Sequence, residues 1–160
     1  MVAGLFNPVQ PAIPRQVTMP LSARFPWKPE YTVGNEFIDA QHQTLLELAN
    51  LLHVAINAGQ GYRVIQSAFA ALMKYTEEHF ADEERFWENA RSQRLNQHRR
   101  EHREITEELA ALRHEGEFGV VFCTPNELAN WIEHRLIAHV INDDQDSYRA
   151  LAKPPVRGKR

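Results

Sequence analysis

Two short motifs, His79-Phe-Ala-Asp-Glu83 and His98-Arg-Arg-Glu-His102, stand as near mirror images about a turn and constrain this chain more than any other feature. Residues four apart share one face of a helix, so each motif sends two metal-capable side chains in one direction. If the two helices run antiparallel, His79 falls level with His102 and Glu83 with His98. Four donors then meet at one height in the seam between two helices, as a metal cluster requires.

The rest of the chain supplies two more helices for that seam. Segment A starts at Asn35, a helix cap, follows Ile38, His42, Leu45, Ala49, Leu52 and Ile56, and stops at Gly59 and Gly61. Segment B covers about 62–89 along Ile65, Phe69, Leu72, Thr76, His79, Glu83 and Phe86. Segment C covers about 93–115 along Leu95, His98, His102, Ile105, Leu109 and Leu112, and ends at Gly116. Segment D opens on Thr124-Pro-Asn-Glu127, a capping box with proline at the first helical position. It runs to about residue 150 along Leu128, Ile132, Leu136 and His139, and Pro154-Pro155 stops it. No strand pattern competes. Four amphipathic helices with mostly short connections specify an all-α, up-down-up-down antiparallel four-helix bundle.

A chain of 160 residues encloses such a core as one domain over 27–150 without disulfides. Residues 1–26 carry five prolines and little to bury, and read as an irregular extension; 151–160 reads as a basic tail. A net charge of −3 argues against a nucleic-acid binder, and no segment is apolar enough to span a bilayer or to serve as a signal peptide. The single cysteine, Cys123, reads as a small core residue and fits a cytoplasmic protein.

The eight histidines matter through their positions. His42 lies about as far before the Gly59–Gly61 turn as His79 lies after it. His102 precedes Gly116 by 14 residues, and His139 follows Pro125 by 14. All four helices therefore present histidines at one end of the bundle, opposite the A–B and C–D turns. His53 and His114 fall outside that level and read as ordinary core or surface groups. A carboxylate on segment D completes the set: Asp143, four residues after His139, shares its face, whereas Asp144 is turned away by about 140° in ideal geometry. Spacing leaves the choice between them open. Seven donors, mostly neutral imidazole, exceed a structural zinc site and suit iron better than calcium or magnesium.

The stretches Trp27 with Tyr31-Thr-Val-Gly, Ile38-Asp-Ala-Gln-His42, Tyr75-Thr-Glu-Glu-His79-Phe-Ala-Asp-Glu83-Glu84, His98-xxx-His102 and His139-xxxx-Asp144 strongly resemble the hemerythrins, specifically the single-domain bacteriohemerythrins, over about residues 27–148. The resemblance implies Asp144 rather than Asp143, and a pair of iron ions. His98, His102 and His139 would hold one iron, and His42 and His79 the other. Glu83 and Asp144, with an oxo or hydroxo group, would bridge them. Dioxygen would bind at the iron of His42 and His79, beside Leu136, Leu45 and Phe80. One departure is Arg135, where the family often has tryptophan; Trp131 lies a turn earlier, and Arg135 is expected to point outward.

The implied function is reversible dioxygen binding, as carrier, store or delivery protein, and not an enzyme. Two other classes compete. An oxygen, redox or iron sensor would need a partner surface, for which the extension and the five arginines of 91–103 are the candidates. A di-iron enzyme is the other: the carboxylate-rich Glu-x-x-His pattern of ferritin-like enzymes is missing, which weighs against oxidase chemistry and leaves reaction with peroxide or nitric oxide open.

Overall fold

The computed structural model describes residues 23–152 apart from residue 118. Most of the 1–26 extension and nearly all of the 151–160 tail lie outside the described residues. Three long helices come first: α1 (Glu36–Asn57), α2 (Tyr62–Asn89) and α3 (Leu95–Ala111). The fourth is composite, α4 (Pro125–Trp131) and α5 (Gln145–Ala152) joined through wider π turns at Ile132–Ile137 and Val140–Asp144.

The expected caps are present. The Asn35 side chain accepts from the backbone N–H of Phe37 and Ile38, and Gly59 takes a left-handed φ of 59° just past the end of α1. Thr124 and Glu127 form the full capping box at the start of α4. The apolar seams turn inward as their periodicity requires: Leu45, Ala49, Leu52, Phe69, Leu72, Ile105, Leu109, Leu128, Ile132 and Leu136 are all buried.

Segment C does not remain helical to 115, and a strand pattern does exist. After α3 the chain forms an antiparallel hairpin, β1 (Arg113–Gly116) with β2 (Gly119–Phe122), pairing Arg113 with Phe122 and Gly116 with Gly119. Val120 and Val121 favour extended backbone, and Gly119 sits at φ 117°, a conformation L residues rarely adopt. Phe122 then packs against Tyr62 and Phe69 over the A–B turn, and the Cys123 N–H donates to Leu112 O. Cys123 itself is buried, and burial pushes its thiol up to about 11, so it is an inert core residue.

The packed body also begins before residue 27. Phe25 is buried, and its backbone N–H and C=O both pair with the Asn50 side chain. From there residues 25–33 cross the mouth of the bundle as a strap with a short 3₁₀ turn at Pro29–Tyr31. Asp39 accepts from Thr32 and Val33, and Gln145 donates to the carbonyls of Glu30 and Thr32.

The hairpin makes a prediction with an unusual sign. Gly119→Ala is expected to cost on the order of 1–3 kcal/mol, read as a lowered Tm, because the new Cβ must sit at positive φ. The same change in a helix or open loop would stabilise by about 0.5–1 kcal/mol, and a raised Tm would refute the hairpin.

Candidate metal centre

Every donor singled out in the sequence is buried. His42, His79, Glu83, His98, His102, His139 and Asp144 are each 3 % exposed or less. They form a polar layer between the main apolar core and a small second cluster of Ile38, Trp87 and Tyr148. Phe80 stacks flat on His102 at 3.9 Å from the core side, and Trp87 meets His98 at 5.2 Å from the other.

Inside the layer the donors fall into two groups that share one residue. Donor atoms of His98, His102, His139 and Asp144 lie within 4.8 Å of one another, as do those of His42, Glu83 and Asp144. Asp144 Oδ1 is 3.0 Å from His139 Nε2 and 3.8 Å from His98 Nε2, while Oδ2 is 3.4 Å from His42 Nε2. Glu83 also reaches across, with Oε2 3.4 Å from His102 Nε2. Both carboxylates thus touch both halves. His79 stands beside His42, ring centroids 4.7 Å apart, but its nitrogens lie outside both close groups.

Asp144 reaches the interior because of the π turn. In a regular α-helix the fifth residue after His139 would swing off the seam. The wider turn over Val140–Asp144, with i→i+5 bonding, brings Asp144 back under His139 and leaves Asp143 outside. Asp143 is about a third exposed and faces the other ring nitrogen of His139, Nδ1, at 3.5 Å. The two adjacent aspartates therefore address opposite edges of one imidazole.

Electrostatics make the layer costly without a cation. Nε2 of His98 and His102 and both carboxylate oxygens of Glu83 are buried with no hydrogen-bond partner among the described residues, and the Asp144 oxygens face only imidazole nitrogens. Burying an unmatched carboxylate costs several kcal/mol, on the order of the stability of a whole domain for two of them. Burial, and then the charge of Asp144, push the Glu83 carboxyl well above the usual carboxylate range. Burial pushes Asp144 the same way, but the His139 charge and hydrogen bonds from His139 and His42 outweigh it and hold Asp144 well below. Burial keeps His79, His98 and His102 below the ordinary imidazole value, His102 down to about 4, so they are neutral and able to ligate. Burial also acts against His139, yet the Asp144 charge and hydrogen bonds to Asp143 and Asp144 raise it to about 10. Inward lone pairs and inward carboxylates, with no inward arginine or lysine among the described residues, form a donor set that cations satisfy.

Leu45 and Leu136 line a cavity of about 10 Å³ against His42, closed by Trp27 and Tyr31 from the strap and by Val140. Phe80 is not part of that wall; it fixes the His102 ring instead. Arg135 points away, its Nε donating to Glu108 Oε2 at 2.6 Å, and Trp131 Nε1 donates to the same oxygen.

The residues behind the imidazoles escape a reading by spacing. His79 Nδ1 meets Gln41 Oε1 and His102 Nδ1 meets Glu84 Oε1, both at 3.0 Å across helices, where sequence periodicity carries no signal. Glu101, three residues after His98 and facing its Nδ1 at 3.5 Å, is the one that helical spacing exposes.

The two aspartates separate cleanly by substitution. Asp144→Ala is expected to lose at least one bound metal equivalent outright, because it is shared by both groups. Asp143→Ala is expected to keep the stoichiometry and weaken retention by about 10–100-fold, the usual effect of removing a partner behind a ligand. Elemental analysis after dialysis against chelator distinguishes them, and equal loss in both variants would contradict the geometry.

Comparison with known proteins gives the family. The hemerythrin HHE cation binding domain matches residues 33–151. The chain is 30% identical over 122 residues to a bacteriohemerythrin of Pseudomonas paraeruginosa, covering 76% of this chain and 78% of that one. It is 29% identical over 119 residues to a bacteriohemerythrin of Stenotrophomonas maltophilia, covering 74% and 76%. A solved structure of a leucine-to-phenylalanine mutant of another protein superposes with a TM-score of 0.71 at 22% identity, over 82% of this chain and all of that one, which speaks for the fold. The chain belongs to the hemerythrin family, a family of helical bundles with a cation-binding centre.

Proposed function

We propose that the centre holds two iron ions and binds dioxygen reversibly, so that the protein carries, stores or delivers oxygen. His98, His102 and His139 would hold one iron, His42 and His79 the other, with Glu83 and Asp144 and an oxo or hydroxo group between them. Two ferrous ions held there would supply two electrons to bound dioxygen and recover them when it leaves.

The observation that carries this reading is the cavity against His42, whose wall is otherwise Trp27, Tyr31, Leu45, Leu46, Leu136, Ile137 and Val140. At about 10 Å³ it has room for one small molecule of water or diatomic size, and no space for an organic substrate. The surface that its wall presents is apolar, which offers water little to hold it there. Five imidazoles, which metal binding would require to be unprotonated at the ligating nitrogen, and two carboxylates would leave positive charge on two divalent ions and keep an electron-accepting ligand attached without overcompensation. The strap that bears Trp27 and Tyr31 is pinned at both ends by Asn50 and by Gln145, so the cover is part of the fold. Size and dryness favour binding over turnover.

The test reduces the iron-loaded protein without oxygen, admits air and then removes it. Visible absorption is expected to appear and vanish over repeated cycles at one oxygen per iron pair. Rapid, irreversible oxidation on the first exposure would refute carriage. Tyr31→Ala opens the cavity and is expected to leave two irons per chain while shortening the life of the oxygenated form several-fold.

A further inference from the structure

The outer edges of the imidazoles are not treated alike. A histidine that ligates through Nε2 carries its proton on Nδ1, and what accepts that proton sets how basic and how fixed the ligand is. Behind His98, His102 and His139 the acceptors are carboxylates. Glu84 Oε1 lies 3.0 Å from His102 Nδ1, Glu101 Oε2 3.5 Å from His98 Nδ1, and Asp143 Oδ2 3.5 Å from His139 Nδ1. Glu101 Oε2 also stands 3.9 Å from His139 Nδ1 and is buried without a hydrogen bond of its own, while Oε1 accepts from Gln97 Nε2 at 2.8 Å, so the inward oxygen faces both rings.

Behind the outer nitrogens of the other half no carboxylate stands in contact among the described residues. His79 Nδ1 meets the amide oxygen of Gln41, which is itself oriented by donating from Nε2 to Asp82 Oδ2 at 2.8 Å. His42 Nδ1 is buried with no partner among the described residues, and its ring borders the apolar cavity. One half of the centre thus has three negative groups directly behind its ligands. The other has a neutral amide behind one ligand and none behind the second.

We propose that the two halves hold their metals unequally: Glu84, Glu101 and Asp143 are positioning residues that lock the ion of His98, His102 and His139, and the ion of His42 and His79 exchanges first. Two effects act in the same direction. Carboxylate acceptors raise the electron donation of the three imidazoles and hold their rings in the ligating pose. The rings of His42 and His79 depend on packing and on one amide, and His42 borders the cavity. The inference rests on the two-ion reading above.

The experiment loads the full chain anaerobically with ferrous iron, confirms two ions per chain, and follows release to a ferrous chromogenic chelator. Two phases of equal amplitude are expected in the wild type. Glu101→Gln is expected to accelerate the slow phase about 10-fold or more and leave the fast phase unchanged. Glu101→Asp, which keeps the charge, is expected to accelerate it less. The paired exchange Gln41→Glu with Asp82→Asn moves the carboxylate behind His79 while preserving the Gln41–Asp82 hydrogen bond, and is expected to slow the fast phase about 10-fold. That gain is one a merely structural role would not produce. Single-phase release of two ions, or equal acceleration of both phases by Glu101→Gln, would overturn the inference while leaving the two-ion reading intact. A maximum loading of one ion per chain, or none, would overturn both.

Discussion

Two carboxylates, Glu83 and Asp144, sit fully buried beside five imidazoles with no arginine or lysine among the described residues turned toward them. The rest of the bundle is organised by that imbalance. Each helix gives up leucine or isoleucine positions in its seam to a histidine or a carboxylate, and apolar layers above and below shield the result from water. Such a layer is stable only if something positive occupies it, because unmatched buried carboxylates cost as much as a domain of this size can supply. Metal binding and folding are therefore coupled at this level of the bundle.

The composite fourth helix shows how far the backbone departs from regularity to complete the layer. An unbroken α-helix from Pro125 to Ala152 would direct Asp143 toward the seam and Asp144 off it. Two π turns reverse the assignment, so Asp144 ends up in reach of His42, His98 and His139 and Asp143 backs His139 from outside. The wider turn has poorer helical packing, and its placement at the ligand-bearing end accords with the general occurrence of such turns at functional sites.

Much of this was legible in the chain itself. The mirrored motifs at 79/83 and 98/102 and the equal distances of His42, His79, His102 and His139 from their turns are consequences of helical period, so the sequence records them directly. The capping signals at Asn35 and Thr124 are local chemistry and were equally readable. Less visible was whatever depends on contacts between segments. The hairpin at 113–122 is four residues a side, too short for alternation to declare it. Phe25 sits in a proline-containing stretch, and only its pairing with Asn50 reveals it as core. Gln41 and Glu84 act across helices, where no spacing rule applies, and the choice between Asp143 and Asp144 turned on a local change of helical pitch.

The account stands on the claim that the buried layer is built to enclose two cations. Anaerobic titration of the metal-free protein with ferrous iron, followed by the melting temperature at each addition, addresses it directly. The stabilisation is expected to saturate at two ions per chain, with a gain of about 2.7 kcal/mol per ion, or about 5.5 kcal/mol for both, once free iron reaches a hundredfold excess over Kd, equivalent to a rise in Tm of roughly 10–20 °C for a domain of this size. Saturation at one ion, or a melting temperature indifferent to iron, would contradict it.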